Sequence, residues 1–280
     1  MRIHFRPNEL RTLYDTHADI PKLLDIAKIA NKYNFKSVEA WACDAIQECI
    51  NRSPSPVTEM NHREQVTQII RIAQLCGHDK LLNTMVGVLQ HLMSTSPEYL
   101  SMALTLADEL DINSLTGSAY FQMLLKGQAF WTDSNISRLQ KLRLLNGYYK
   151  LTSEWERLRS WPPNVAHSSA CGNIWNSTQC AASWKEFWKK QVSSDQVTKL
   201  NLADVPGRLR VILKETDRWG TFGQVCILHL IHVTVACFNA YARHAQATFM
   251  HHDCRVEVKR CLINEIKQFD DGLAGFFPPV

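Results

Sequence analysis

The chain has 280 residues, 45% of them apolar and 21% charged, with a formal net charge of only +4. Those are ordinary globular values, which exclude wholesale disorder and give nucleic-acid binding no support from total charge alone. Nine cysteines are spread over the whole length without the dense spacing of a disulfide-stapled secreted scaffold, and residues 1–7 hold no apolar run of the signal-peptide kind, so a cytoplasmic or nuclear protein is expected.

In chain order, Asp19 is placed to cap a helix with Pro21 in its first turn, and Leu23, Ile26, Ala27, Ala30 and Tyr33 recur at helical spacing. Asn34 and Phe35 break that pattern. Ser37 is expected as a fresh N-cap, followed by the apolar stripe Val38, Trp41, Ala42, Ala45, Ile46 and Cys49. Two short helices joined so tightly form an antiparallel hairpin. Residues 51–60 carry Ser53-Pro54-Ser55-Pro56 and read as a linker, because proline removes donors and forbids a continuing helix. The hairpin theme then repeats. A helix capped by Asn61 runs to Cys76, where Gly77 can end it in a left-handed turn, and another spans about 79–93. Ser96-Pro97-Glu98 starts a third that ends near Asp111, and Asn113 or Ser114 opens a fourth that stops near Gly127.

Residues 134–160 read as one long helix, with Ile136, Leu139, Leu142, Leu145, Tyr148 and Tyr149 on its apolar side and Trp161-Pro162-Pro163 as its terminator. A loop over 162–176 follows. Helices are then expected at about 177–193, 204–219, 222–249 and 253–270. The division this implies is 1–52, a linker at 53–60, a helical-hairpin region at 61–161, the loop, and a C-terminal helical region at 177–280. The fold class is all-α, a bundle of antiparallel helical hairpins.

The residues 14–21 (Tyr-Asp-Thr-His-Ala-Asp-Ile-Pro), then Leu23-Leu24-Asp25-Ile26-Ala27-Lys28-Ile29-Ala30-Asn31-Lys32-Tyr33 and Val38-Glu39-Ala40-Trp41-Ala42, are similar to a known pattern. This stretch resembles the closing helical hairpin of the BTB/POZ domain as found in a large group of fungal BTB proteins. Leu75-Cys76-Gly77-His78, Lys80-Leu81-Leu82, Ala103-Leu104, Leu106-Ala107-Asp108 and Ala119-Tyr120 resemble the BACK-like helical extension of the same proteins, and Cys171, Cys180, Trp184, Phe187 and Trp188 fit it more loosely. The resemblance covers about residues 8–192 and implies a scaffold or adaptor without catalysis. It also implies that the chain starts within the last third of that domain, as a shortened or fragmentary member. The sheet, the usual dimer interface and the cullin-gripping loop would then lie upstream. Without that sheet, the apolar faces of residues 20–50 are expected to self-associate or to pack on the C-terminal helices.

No catalytic signature is present: no Gly-x-Ser-x-Gly elbow, no His-Glu-x-x-His helix, no Walker loop and no Gly-x-Gly-x-x-Gly fingerprint. Asp270-Asp271 lacks the second acidic cluster that a metal-dependent helical cyclase would need. Cysteine and histidine do scatter suggestively. Cys226, His229, Cys237 and His244 return to nearly one helix face, and His167, Cys171 and Cys180 lie in the long loop and the helix after it. Four such ligands could hold a structural zinc, but no pair shows the close Cys-Cys spacing of zinc modules. The preferred reading is therefore satisfied core residues, with no catalytic, cofactor or metal site assigned.

Residues 136–220 hold fourteen Lys or Arg against seven Asp or Glu, a local charge of +7 (14 − 7). A solvated basic face explains this most simply. The alternative is a nuclear regulator that contacts nucleic acid through this region, with Arg138, Lys141, Arg143, Lys185, Lys189 and Lys190 on phosphates and Trp184 or Trp188 stacking on bases. Between Trp219 and Ala242 there is no charged residue, yet Gln224, His229, His232, Thr234 and Asn239 argue for a buried bundle helix over a membrane span. The functional expectation is a non-catalytic protein-protein interaction module with an unnamed protein partner. An unrecognised helical enzyme, with an acidic pocket or the His229/His232 region as its site, is the remote alternative.

Overall fold

A computed structural model describes residues 19–52, 63–133, 136–171, 176–229 and 250–279 of the chain. Twelve α-helices and one short 3-10 turn account for the regular structure among these residues, and no strand is found there. No described helix is long and apolar enough to cross a membrane, and residues 230–242 of the uncharged stretch lie outside the described residues. The chain divides into two compact units, residues 1–136 and 137–280.

The first unit holds α1 (Ile20–Lys32), α2 (Lys36–Ile50), α3 (Arg63–Cys76), α4 (Asp79–Thr95), α5 (Pro97–Leu110), α6 (Asn113–Leu125) and α7 (Gln128–Asp133). Local chemistry sets their ends. The Asp19 carboxylate accepts the Lys22 amide N–H at 3.1 Å, and Ser96 Oγ accepts that of Glu98. His78 supplies its ring Nδ1 to the Leu81 amide and so caps α4. Gly77 is left-handed as its position after Cys76 predicts, and Asn34 and Asp111 close α1 and α5 with the same left-handed geometry. Ser37 does not cap α2; that helix starts at Lys36 behind Phe35, without a side-chain cap. The Asn61 cap and the Ser-Pro linker fall outside the described residues.

The faces of α1 and α2 meet each other through Leu23, Ala27, Ala30, Ala42 and Ile46, all but fully buried. Both helices also pack on α3 and α4 of the same unit, where Ile69, Ile70, Leu81 and Met85 are fully buried, while Ile29, Tyr33 and Phe35 stay exposed. The next hairpin therefore covers much of the apolar surface that the sequence leaves open to self-association or to packing on the C-terminal helices. Each fully buried Leu or Ile contributes about 1.5–3 kcal/mol relative to exposure. Most polar side chains enclosed by this packing find partners, the Gln47 Oε1 being an exception. The buried Glu39 carboxylate accepts from Lys36 Nζ at 3.0 Å and Asn31 Nδ2 at 3.1 Å, and the Tyr120 hydroxyl donates to Asp108 at 2.9 Å.

The second unit holds α8 (Arg138–Ser160), a 3-10 turn (Ser169–Cys171), α9 (Asn176–Val192), α10 (Asp195–Thr198), α11 (Val205–His229) and α12 (His252–Phe276). A capping box between Ser137 and Gln140 starts α8, four residues later than the sequence pattern suggests. This long helix sits with the C-terminal helices, on α11 and α12, whereas the sequence division groups it with residues 61–161. The α11 backbone runs unbroken past Trp219 to His229, and α12 continues past residue 270 to Phe276.

The packed side of α8 is not the one its apolar spacing suggests. Leu144, Gly147, Leu151, Trp155 and Leu158 face the core. Leu139, Leu142, Leu145, Tyr148 and Tyr149 are exposed, from 38% at Tyr148 to 74% at Tyr149. The reason lies in tertiary partners. The Phe277 ring, 1% exposed, seats directly against Gly147, where no side chain would fit. Arg208 is buried against the Trp155 ring, its guanidinium 4.6 Å from the ring centroid.

Candidate metal centre

The loop after α8 leaves the helix at Trp161 and has no regular structure until the turn at Ser169–Cys171. A loop of this kind needs outside partners for its backbone. Two buried indoles on α9 hold its start: Trp184 Nε1 donates to the Pro163 carbonyl in the loop at 3.0 Å, and Trp188 Nε1 to the Leu158 carbonyl in the last turn of α8 at 2.8 Å. Cys261 on α12 reaches the Asn164 carbonyl from the other side.

This path brings His167 and Cys171 against Cys180 on α9 and Cys254 in the first turn of α12. One ligating atom from each of the four lies within 4.8 Å of every other. All three cysteines are buried, and His167 closes the outer side of the group. Cys171 Sγ and Cys180 Sγ are 3.7 Å apart, far beyond the roughly 2.05 Å of a disulfide. Two sulfurs on one tetrahedral zinc, each about 2.3 Å from the metal, stand about 3.8 Å apart. The spacing is that of thiols around a shared centre.

The electrostatics point the same way. Burial, with the Cys254 and Cys180 thiols crowding beside it, pushes the Cys171 thiol up to about 12. Burial also raises Cys254, opposed by the Ser168 amide N–H, which donates to its sulfur and by the Cys171 thiol. Burial thus disfavours the thiolate form of Cys171 and Cys254 where no cation stands beside them. A bound dication reverses that preference and takes all three as thiolates. Four protein ligands would also close the coordination sphere, the arrangement of a structural site.

Of the residues singled out from sequence, His167, Cys171 and Cys180 are brought together, and the fold adds Cys254. The sequence reading keeps these three as satisfied core residues; the fold sets a third thiol, from α12, beside them. Cys254 stands 74 residues beyond Cys180 (254 − 180), with no local pattern to mark it. The four-residue step from His167 to Cys171 was the available signal. Cys226 and His229 lie on α11 where the backbone alone is described, and Cys237, His232 and His244 fall outside the described residues.

The remaining candidates separate cleanly. Trp184 and Trp188 are 5% and 1% exposed, so neither offers a face to a nucleic-acid base. Within the basic region Arg157 pairs with Glu154, Arg159 with Glu156 and Arg210 with Asp270, and Arg208 is buried. Asp270 is thereby committed to an ion pair at 2.6 Å. A cavity of about 180 Å³ opens beside the cysteine cluster, lined chiefly by Pro163, Val165, Trp184 and Met250, with Asn164 and Lys185 as polar members. It has no carboxylate in its lining. No protein-family model, no curated protein and no solved structure matches this chain.

Proposed function

We infer that this chain is a non-catalytic protein-interaction module that presents the outer face of α8 to an acidic, amphipathic helix of another protein. The observation that carries this is the exposed row Leu139, Leu142, Leu145 and Tyr149 on a helix whose opposite face is already filled. At about 3.6 residues per turn these side chains fall on one flank, as the anchors of helix-in-groove recognition do. Apolar anchors beside the exposed Arg138 suit a partner with apolar residues on one side and a carboxylate on the rim. The reading of α1–α2 as the closing hairpin of a BTB/POZ domain is part of the same proposal. It rests on the Leu23–Tyr33 and Val38–Ala42 motifs and suits a scaffold role.

The test is Leu142→Glu with Leu145→Glu in the full chain, compared with wild type by cross-linked affinity capture. Both side chains are exposed, so stability should change by less than about 0.5 kcal/mol each. Partners captured by wild type and lost from the double variant, with unchanged helical circular dichroism, support the reading. The same set of partners on both proteins overturns it.

A further inference from the structure

We propose that His167, Cys171, Cys180 and Cys254 bind one structural zinc ion, which fastens the loop after α8 to the starts of α9 and α12. The proposal goes beyond the docking face of α8 and does not depend on it.

Four observations carry it. The ligand atoms converge within 4.8 Å, a compactness that one ion can span and a multi-iron cluster, whose cysteines stand around its corners, cannot. The 3.7 Å between Cys171 and Cys180 sulfurs matches two edges of one tetrahedron. The ligands come from separate parts of the chain: His167 from the irregular loop, Cys171 from the 3-10 turn, Cys180 from α9 and Cys254 from α12. All three sulfurs belong to residues no more than 3% exposed, and His167 alone of the four faces solvent, so the ligand atoms converge on an enclosed point.

The donor set selects the metal. Three thiolates and one imidazole suit zinc, which accepts tetrahedral geometry without preference from its d electrons. Binding exchanges three thiol protons for one Zn²⁺; each thiolate donates a lone pair, no electrons are transferred, and the site carries one net negative charge. Neutral imidazole supplies the fourth pair. All four positions are then filled by protein, so the ion holds structure and activates no water.

The full-length chain, expressed in zinc-supplemented medium and purified without chelators, is assayed by elemental mass spectrometry. The expected content is about one zinc per chain. Cys171→Ser and Cys254→Ser should each reduce it at least about ten-fold, and Cys261→Ser, altering a neighbouring thiol outside the set, should leave it unchanged. If the two ligand variants fail to fold, cobalt reconstitution of the wild type decides. A tetrahedral ligand-field spectrum with thiolate-to-cobalt charge transfer of three-sulfur intensity is expected. His167→Ala, altering an exposed side chain, should keep the charge transfer and shift the ligand-field bands.

Iron or copper in place of zinc would overturn the assignment. So would a Cys171–Cys180 disulfide in freshly purified protein, or failure of the reduced wild type to take up zinc or cobalt. Full zinc retention by both ligand variants overturns the site itself, and an unchanged cobalt spectrum in His167→Ala removes the histidine from it.

Discussion

Replacing Arg208 by methionine should destabilise the second unit by about 3–4 kcal/mol, a figure built from three contacts. The guanidinium is enclosed, with the residue 3% exposed. Its Nε donates to the Asn201 carbonyl at 3.0 Å and its Nη2 to the Leu200 carbonyl at 2.7 Å. Methionine preserves the volume of the stem but strands the Leu200 carbonyl, at roughly 1–3 kcal/mol, and takes from the Asn201 carbonyl one of its two hydrogen bonds, the other coming from the Asp204 N–H, at about 1 kcal/mol. Loss of the contact over Trp155 adds about 1–2 kcal/mol for a desolvated cation–π pair. Against this stands the desolvation of the charge itself, which holds the Arg208 pKa below its usual value and is relieved by the substitution. The net loss should lower Tm by roughly 6–15 °C in a unit of this size. Urea unfolding followed by tryptophan emission is the assay, since six of the eight tryptophans belong to the second unit and only Trp41 and Trp131 to the first. Arg208→Lys should fall between, because one ammonium can serve one carbonyl. A methionine variant within about 1 kcal/mol of wild type would refute the reasoning.

Gly147→Ala should displace the Phe277 ring and cost about 2–4 kcal/mol, and combining it with Phe277→Ala should cost much less than the sum, as a thermal-denaturation cycle would show. Tyr120→Phe should lose about 1–2 kcal/mol in the first unit, because its hydroxyl serves the Asp108 carboxylate. Burial raises the Asp204 carboxyl despite the Gly207 N–H that it accepts. Its folded pKa thus lies above the unfolded value. Its contribution is fully present below about pH 3.8 and is lost as pH rises through the raised folded value. Asp204→Asn should remove that decline, so its stability relative to wild type should grow between about pH 3 and pH 6 in chemical-denaturation titrations; a constant difference would contradict the assignment.

The first unit was largely legible because its helices are short, capped and adjacent. Leu23, Ala27, Ala30, Ala42, Ala45 and Ile46 were read from spacing and are buried; Tyr33, on the same stripe, is exposed because α1 ends beside it. The α8 helix defeated the same method. It carries two apolar stripes, and spacing favours the richer one at Leu139, Leu142 and Leu145. The core takes the other because Gly147 leaves a hollow for Phe277 and Trp155 a platform for Arg208. Both partners are distant in sequence. The cysteine cluster was half legible for the same reason: the loop shows His167 and Cys171, whereas Cys254 becomes their neighbour only once α12 has packed.

The Trp184 indole N–H bond that holds the loop also makes it optically visible. Trp184 packs at a tilt on Trp188, 5.2 Å between ring centroids, and lines the same cavity as Cys180 and Cys254. An event that pulls residues 161–171 off α9 must free this N–H group and admit water to the ring. The emission of the unlabelled protein would then move to longer wavelength. The loop thus carries its own dye, placed where its attachment to the bundle can be watched in real time.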